Sequence, residues 1–115
     1  MRTFATMLAS VAALTFVAAC TSTSPGDEVL TKSELRQLIT GKSVSFDGGG
    51  TATYYRDGRY KYVLNGADTG TYSFRNDQVC VAFDGGGSRC DTYVQNGDRY
   101  FLINARGGRF QARIG

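Results

Sequence analysis

The sequence predicts an all-β domain, a small antiparallel barrel of about eight short strands with one short N-terminal helix. Short runs of alternating apolar and polar residues recur along the chain, and turn pairs such as Asp57-Gly58 separate them. The 115 residues include 15 glycines, 7 tyrosines and 7 phenylalanines but one proline, which is typical of short strands joined by tight turns. A two-sheet β-sandwich is the alternative, and a barrel is favoured because closure removes exposed edges.

Eight runs carry the strand pattern. They cover residues 43–46, 51–56, 59–64, 69–75, 78–83, 89–95, 99–105 and 110–114. A seven-residue segment occurs twice, 37 positions apart, as Val44-Ser-Phe-Asp-Gly-Gly-Gly50 and Val81-Ala-Phe-Asp-Gly-Gly-Gly87. Duplication of a four-strand half explains this repeat, and so does convergence on one hairpin chemistry.

Residues 78–95 are predicted to form a hairpin that a disulfide holds together. A glycine turn separates the two runs, and Cys80 and Cys90 lie one in each run. In the chain-entropy model, closing so short a loop stabilises a fold by roughly 2.5–3 kcal/mol. Two free buried thiols are the alternative. The targeting segment at residues 1–19, described below, argues against them because exported proteins fold in oxidising surroundings.

One short helix is predicted at residues 32–40. Thr31 and Glu34 have the spacing of a capping box, Leu35, Leu38 and Ile39 share one face, and Gly41 follows as a stop. The apolar face suits a helix that plugs one end of the barrel. A partner-binding helix is the other interpretation.

Residues 1–19 have the composition of a cleaved targeting segment, with Arg2 ahead of an apolar stretch. The stretch ends in Val17-Ala18-Ala19-Cys20, which resembles the lipobox of bacterial lipoproteins. The resemblance implies cleavage before Cys20, a diacylglycerol thioether on its sulfur and an acyl chain on its new amino group. An ordinary secretory signal is the alternative.

The lipoprotein resemblance also implies a location and a domain plan. Thr21 after the modified cysteine suggests the outer membrane, with the domain facing the periplasm rather than the cell surface. Residues 20–30 are small and polar and are predicted to be a lipidated flexible tether. Residues 31–115 then form a single small β-domain. With Cys20 lipidated, Cys80 and Cys90 remain as a pair.

The folded part loosely resembles small uncharacterised exported proteins of alphaproteobacteria. These share a Leu-x-Gly-Lys/Asn-x-Val opening, tyrosine-rich strands and a late cysteine pair. Here the opening is Leu38-Ile-Thr-Gly41-Lys-Ser-Val44, which has one extra residue between leucine and glycine. The resemblance implies no activity.

The composition argues against an enzyme, a metal site and any cofactor beyond the covalent lipid. The chain has no histidine, so no Ser-His-Asp or Cys-His pair can form and no histidine can bind a metal. Every aspartate after the helix except Asp91 lies in or beside a glycine or asparagine turn, where turn geometry explains it. A destination outside the cytoplasm also argues against nucleic acid as a partner.

Two surfaces are candidates for contact with a partner. Tyrosines exceed the need of one small core, and exposed tyrosine beside arginine is typical of binding surfaces. The predicted contact set, for an envelope protein or an anionic wall or lipid component, is Tyr55, Arg56, Arg59, Tyr93, Arg106 and Arg109. The predicted inhibitory loop is Asp84, Gly85, Gly86, Gly87 and Ser88.

These surfaces correspond to two functional hypotheses. The first is a non-catalytic envelope lipoprotein, whose lipid-anchored β-domain binds another envelope component. The second is a periplasmic or surface inhibitor of a hydrolase, a lysozyme or a protease, because small disulfide-linked lipoprotein barrels resemble such inhibitors in architecture. Clustered arginines can also be a solvated face with no partner. A lipocalin-like carrier is disfavoured because strands of five to six residues make a shallow barrel.

Overall fold

The computed structural model describes residues 23–115, so the predicted leader and Cys20 lie outside the described residues. The described chain forms a closed eight-stranded antiparallel barrel with one extra strand and a single short helix, which confirms the predicted barrel over the sandwich. The elements are β1 (Glu28–Val29), α1 (Lys32–Ile39), β2 (Lys42–Phe46), β3 (Gly50–Tyr54), β4 (Arg59–Val63), β5 (Ala67–Arg75), β6 (Gln78–Phe83), β7 (Ser88–Asn96), β8 (Arg99–Ile103) and β9 (Arg109–Ile114).

The barrel is a meander in which each strand from β2 to β9 pairs with the next. It closes where β9 pairs with β2, with Ile114 opposite Val44. Connections therefore alternate between the two ends of the barrel. We call the end that carries α1 and the β3–β4, β5–β6 and β7–β8 turns the helix end. The end that carries the other four turns is the open end.

A column of aromatic rings fills the barrel interior. It runs through Phe74, Tyr72, Tyr54, Tyr60 and Phe83, and neighbouring ring centroids lie 5.2–6.0 Å apart in tilted or edge-to-face pairs. Such pairs add to the free energy gained from burial alone. Small buried residues, Ala52 on β3, Gly70 on β5 and Ala112 on β9, give these rings room.

Helix α1 closes the helix end. The capping box is present, because the Thr31 side chain accepts from the Glu34 amide and the Glu34 side chain accepts from the Thr31 amide. Leu35 and Ile39 are fully buried against the barrel. The guanidinium of Arg36 lies 5.3 Å from the centre of the Phe74 ring, the last ring of the column. The helix is thus a plug.

The structured domain begins before residue 31, within the stretch predicted as a flexible tether. β1 pairs with the last part of β7, and Leu30 is buried with 5% of its surface exposed. The side chain of Asn96 donates to the Pro25 carbonyl at 3.1 Å and to Asp27 at 2.8 Å. This pairing joins residues about 65 positions apart, so local composition does not reveal it.

The repeated segments form hairpin turns with the same hydrogen bonds, both at the open end. The carbonyls of Phe46 and Phe83 each accept from the amide three residues on, at 3.0 Å in both turns. The Asp47 amide donates to the Gln111 carbonyl of β9 at 3.1 Å, and the Asp84 amide donates to the Thr69 carbonyl of β5 at 2.9 Å. Each acceptor lies on the strand next to the hairpin in the barrel. The two turns therefore share these hydrogen bonds as well as a sequence, but their backbones differ. The φ angle is positive at Gly48 and Gly50 in the first turn and at Gly86 and Gly87 in the second.

Candidate functional site

The predicted Cys80–Cys90 disulfide is present and joins the two strands of the β6–β7 hairpin. The two residues lie directly opposite one another, with their Cα atoms 4.0 Å apart. Because strand side chains alternate, the neighbours Arg89 and Asp91 point to the other face, into the barrel. The disulfide thus holds β7, which carries the charged side chains of Arg89 and Asp91, against β6.

The predicted contact set divides between the two ends of the barrel. Tyr55 and Arg56 lie in the β3–β4 turn at the helix end, and Arg59 follows at the start of β4. Tyr55 and Arg59 line one shallow cleft, and Tyr55 is 44% exposed. We call these three residues the turn surface. Arg106 lies in the β8–β9 turn, at the open end.

Tyr93 belongs to the interior and was wrongly placed in the contact set. It is fully buried, and its hydroxyl lies 2.9 Å from the hydroxyl of Tyr54. Burial raises the pKa of Tyr93, so the phenol stays protonated. The excess of tyrosines led to the error, because the inward positions of an eight-stranded barrel accommodate most of them.

Arg109 is held by the protein itself. Both of its terminal nitrogens bind the Asp27 carboxylate, one of them at 3.1 Å, and its guanidinium carbon lies 3.9 Å from the centre of the Phe101 ring. The hydrogen bond from Arg109 lowers the pKa of Asp27 to about 2. Arg109 therefore fastens the N-terminal segment to the barrel.

The predicted inhibitory loop is the β6–β7 turn at the open end. A Cβ atom at Gly85, Gly86 or Gly87 would meet no atom within 4 Å, so the tip is open to solvent. Asp84 is engaged: it accepts from the Thr69 hydroxyl at 2.7 Å and lies 3.7 Å from the Arg59 guanidinium. The tip consequently presents backbone and the small Ser88 rather than a large side chain.

Arg89 and Asp91 form an ion pair inside the barrel that the sequence analysis did not predict. Arg89 Nε donates to an Asp91 carboxylate oxygen at 3.0 Å, and one terminal nitrogen donates to the Tyr60 hydroxyl at 3.3 Å. The guanidinium also lies 5.5 and 5.9 Å from the ring centres of Tyr62 and Phe83. The Asp91 side chain is 1% exposed and that of Arg89 is 34% exposed.

Burial sets the protonation of this cluster. Desolvation raises the pKa of Asp91, and the nearby Arg89 guanidinium opposes that rise. Desolvation also raises the pKa of Tyr60 to about 12, so its hydroxyl keeps its proton at neutral pH. The cluster thus holds a cation, a carboxyl group and a neutral phenol in one short row.

A cavity of about 120 Å³ opens beside Arg89 at the open end, and we call it the mouth cavity. Its walls are mostly apolar, and Arg89 and Asn104 supply the polar side chains. The lining residues are Phe46, Gly49, Tyr62, Arg89, Leu102, Asn104 and Phe110. The Tyr62 hydroxyl donates to the Gly49 carbonyl, which fixes that ring as one wall.

The sequence held a signal for this cluster. Asp91 is the one aspartate after the helix that does not lie in or beside a turn. Its side chain points to the same face of β7 as those of Arg89 and Tyr93, towards the interior. Two opposite charges on the buried face of one strand indicate an interior ion pair. Local patterns give no further signal, because the aromatic partners come from β4 and β6.

Comparisons with known proteins identify no relative. No family model, no curated protein and no solved structure matches the chain. Within residues 23–115, no group of three or more His, Cys, Asp or Glu side chains is placed to hold a metal ion. No helix in that same part of the chain is long and apolar enough to cross a membrane.

Proposed function

We propose that this protein is a non-catalytic lipoprotein of the bacterial cell envelope, whose β-barrel binds another envelope component through the turn surface. The lipobox at Cys20 supports the lipid anchor, and the Cys80–Cys90 disulfide is typical of an oxidising compartment outside the cytoplasm. The folded domain starts close to the anchor. Four residue steps separate Cys20 from Ser24, a reach of roughly 14 Å when extended.

The observation that carries the binding proposal is the exposure of Tyr55 in a cleft that also contains Arg59 and Lys61. Tyr55 is 44% exposed, and Arg56 and Arg59 are both exposed beside it. Tyrosine and arginine are enriched at the centres of protein interfaces. Lys61 adds a positive charge to the same cleft, whereas Asp57 and the Asp84 carboxylate near Arg59 offset part of the charge. Arg56 and Lys61 remain as cations for a partner with an acidic or phosphate-bearing surface.

Site-specific photocrosslinking in cells tests the turn surface. A photoreactive amino acid replaces Tyr55, and in a matched control it replaces Asp98. The control position is exposed in the β7–β8 turn, on the opposite side of the same barrel end. We expect one dominant envelope protein or wall fragment captured from position 55 and much less from position 98. Equal capture from both positions, or capture from neither, contradicts the proposal.

Membrane fractionation tests the anchor separately. The Cys20→Ala variant should appear in the soluble fraction, and the parent chain should remain with the membrane and take up a labelled fatty acid. A parent chain that takes up no label contradicts the lipid anchor. That outcome leaves the crosslinking result to stand alone.

The hydrolase-inhibitor hypothesis has weaker support. An inhibitor of this kind needs a side chain that enters an active site, and the tip of the β6–β7 turn is built from three glycines. Its one large side chain, Asp84, is held by Thr69 and Arg59. We therefore favour the turn surface over this loop as the contact site.

A further inference from the structure

We propose that the mouth cavity binds a small organic carboxylate, with the carboxylate on Arg89 and an apolar group of about five carbons or fewer against the cavity walls. The lining of this cavity and the turn surface have no residue in common. The proposal therefore does not rest on the proposed function, and either one can fail alone.

The size of the cavity limits the apolar group. Its volume is about 120 Å³, and its walls include Phe46, Leu102 and Phe110. An apolar cavity of about 150 Å³ in another protein holds a benzene molecule. A branched group of about four or five carbons therefore fits here, whereas a long acyl chain does not.

Arg89 supplies the charge that selects a carboxylate. A guanidinium has five N–H donors. Asp91 and Tyr60 account for two of the donors of Arg89, at 3.0 and 3.3 Å. The side chain is 34% exposed and lines the cavity, so donors remain for a ligand. Arginine binds carboxylates with two parallel hydrogen bonds where both are reachable.

The surroundings of Arg89 prepare the cation for this role. The Tyr62 and Phe83 rings lie 5.5 and 5.9 Å from its guanidinium carbon and restrict its movement. The low polarity of these walls strengthens a charge interaction relative to one in water. Asp91 already balances part of the charge, so a single negative charge is a better match than a phosphate dianion.

A second observation shows that the polar cluster is not completed by the protein alone. Asp91 Oδ1 is buried and has no hydrogen-bond donor among residues 23–115. Buried carboxylate oxygens almost always have a donor. This oxygen needs a donor, and a water molecule that enters through the mouth cavity can supply one.

Asn104 allows a test that leaves the fold intact. Its Oδ1 accepts from the amides of Arg106 and Gly108, at 3.0 and 2.8 Å. An aspartate at this position keeps both hydrogen bonds and adds a negative charge at the cavity wall. Arg106→Gln is the matched control, because it removes a charge from the same turn but not from the cavity lining.

The experiment is a titration of the purified full chain, followed by backbone amide NMR shifts, with isovalerate as the probe. We expect saturable shifts at Arg89, Asn104 and Phe110. Neutral isovaleramide and inorganic phosphate should each bind at least tenfold more weakly. Asn104→Asp should weaken isovalerate binding at least tenfold, and Arg106→Gln should change it less than twofold.

Two peptides identify the source of the carboxylate. A tripeptide ending in leucine with a free C-terminus should match or exceed isovalerate if the natural ligand is a chain terminus, and its amidated form should not bind. If the natural ligand is a free acid, isovalerate should bind more tightly than the peptide. No saturable shift with any probe, equal binding of isovalerate and isovaleramide, or an unchanged affinity in Asn104→Asp overturns the proposal.

Discussion

The two ends of the barrel solve the problem of closure in different ways. At the helix end, α1 inserts Leu35 and Ile39, both fully buried, and the nearby interior polar groups are neutral phenols. The Tyr54 and Tyr93 hydroxyls form a hydrogen bond with each other at 2.9 Å. At the open end, the interior holds an ion pair instead, and the side chain of Arg89 is 34% exposed.

This difference shows where a small barrel tolerates charge. A buried ion pair is costly to desolvate unless one partner keeps access to water. The row on β7 runs from the open end inward through Arg89, Asp91 and Tyr93. It begins with a partly exposed cation and ends with a fully buried phenol. The open end thus keeps the charge hydrated, and the helix end buries the apolar side chains of α1.

A substitution in the buried face of α1 should have the largest effect on stability. Leu35→Ala removes a fully buried side chain, and we expect the free energy of unfolding to fall by about 3–4 kcal/mol. Urea unfolding at pH 7 measures the change. Leu64→Ala is the control at the open end, where 48% exposure predicts a loss below about 0.5 kcal/mol. Similar losses in the two variants would show that α1 does not seal the barrel.

Removal of the disulfide should cause the second-largest loss in the free energy of unfolding. The Cys80→Ser/Cys90→Ser double variant should unfold with a free energy about 2.5–3 kcal/mol lower, because a short loop is no longer closed in the unfolded chain. Hydrogen exchange should quicken first in the β6–β7 hairpin, at the open end. A reducing agent should destabilise the parent chain and leave the variant unchanged. An effect of the agent on the variant would point to another cause.

Arg89→Gln should destabilise the open end by about 2 kcal/mol at pH 7, because it leaves the Asp91 carboxylate buried without its cation. The expected loss is below that of a fully buried pair, because Arg89 is partly exposed. Burial holds the folded-state pKa of Asp91 above the unfolded value of about 3.9, and removal of Arg89, which opposes that rise, raises the pKa further. The loss is therefore fully present above the folded-state pKa of Asp91 in the variant. It should shrink as pH falls through the folded pKa towards 4.

The Arg89→Gln/Asp91→Asn double variant is the control for that prediction. It removes both charges, so its urea midpoint should exceed that of Arg89→Gln at pH 7. The difference between the two variants should shrink as the pH approaches 4. A double variant as unstable as the single one at pH 7 would show that packing, and not the unpaired carboxylate, causes the loss.

Local patterns in the sequence predicted most of the barrel but not its N-terminal attachment. Strand alternation, turn glycines, the capping box at Thr31 and the facing cysteines all act over a few residues, so they are readable without the fold. β1 has two residues, Glu28 and Val29, and its partner strand lies far along the chain. No periodicity exists in so short a segment, and tertiary pairing alone defines it.

The candidate sites show the same limit. Counting tyrosines could not tell interior from surface, because the number that a barrel needs depends on its radius. The alternation of side chains between the two faces of a strand is the better guide. On β7 it directs Arg89, Asp91 and Tyr93 into the barrel. The mouth cavity requires residues from β2, β4, β7, β8 and β9 together, so it emerges only in the closed barrel.

The Asp27–Arg109 pair should give the smallest effect, and one with a distinctive acid dependence. The pKa of Asp27 is lowered to about 2 in the folded chain, against about 3.9 when unfolded. Its contribution is therefore present above pH 4 and is lost as pH falls towards 2. Asp27→Asn should cost about 1–2 kcal/mol at pH 6, measured by urea unfolding, and almost nothing at pH 2. Asp47→Asn, in an exposed pair with Arg113 at the open end, should cost less than about 0.5 kcal/mol at both pH values. Equal losses in the two variants would mean that the N-terminal segment adds no more to the barrel than a surface ion pair does.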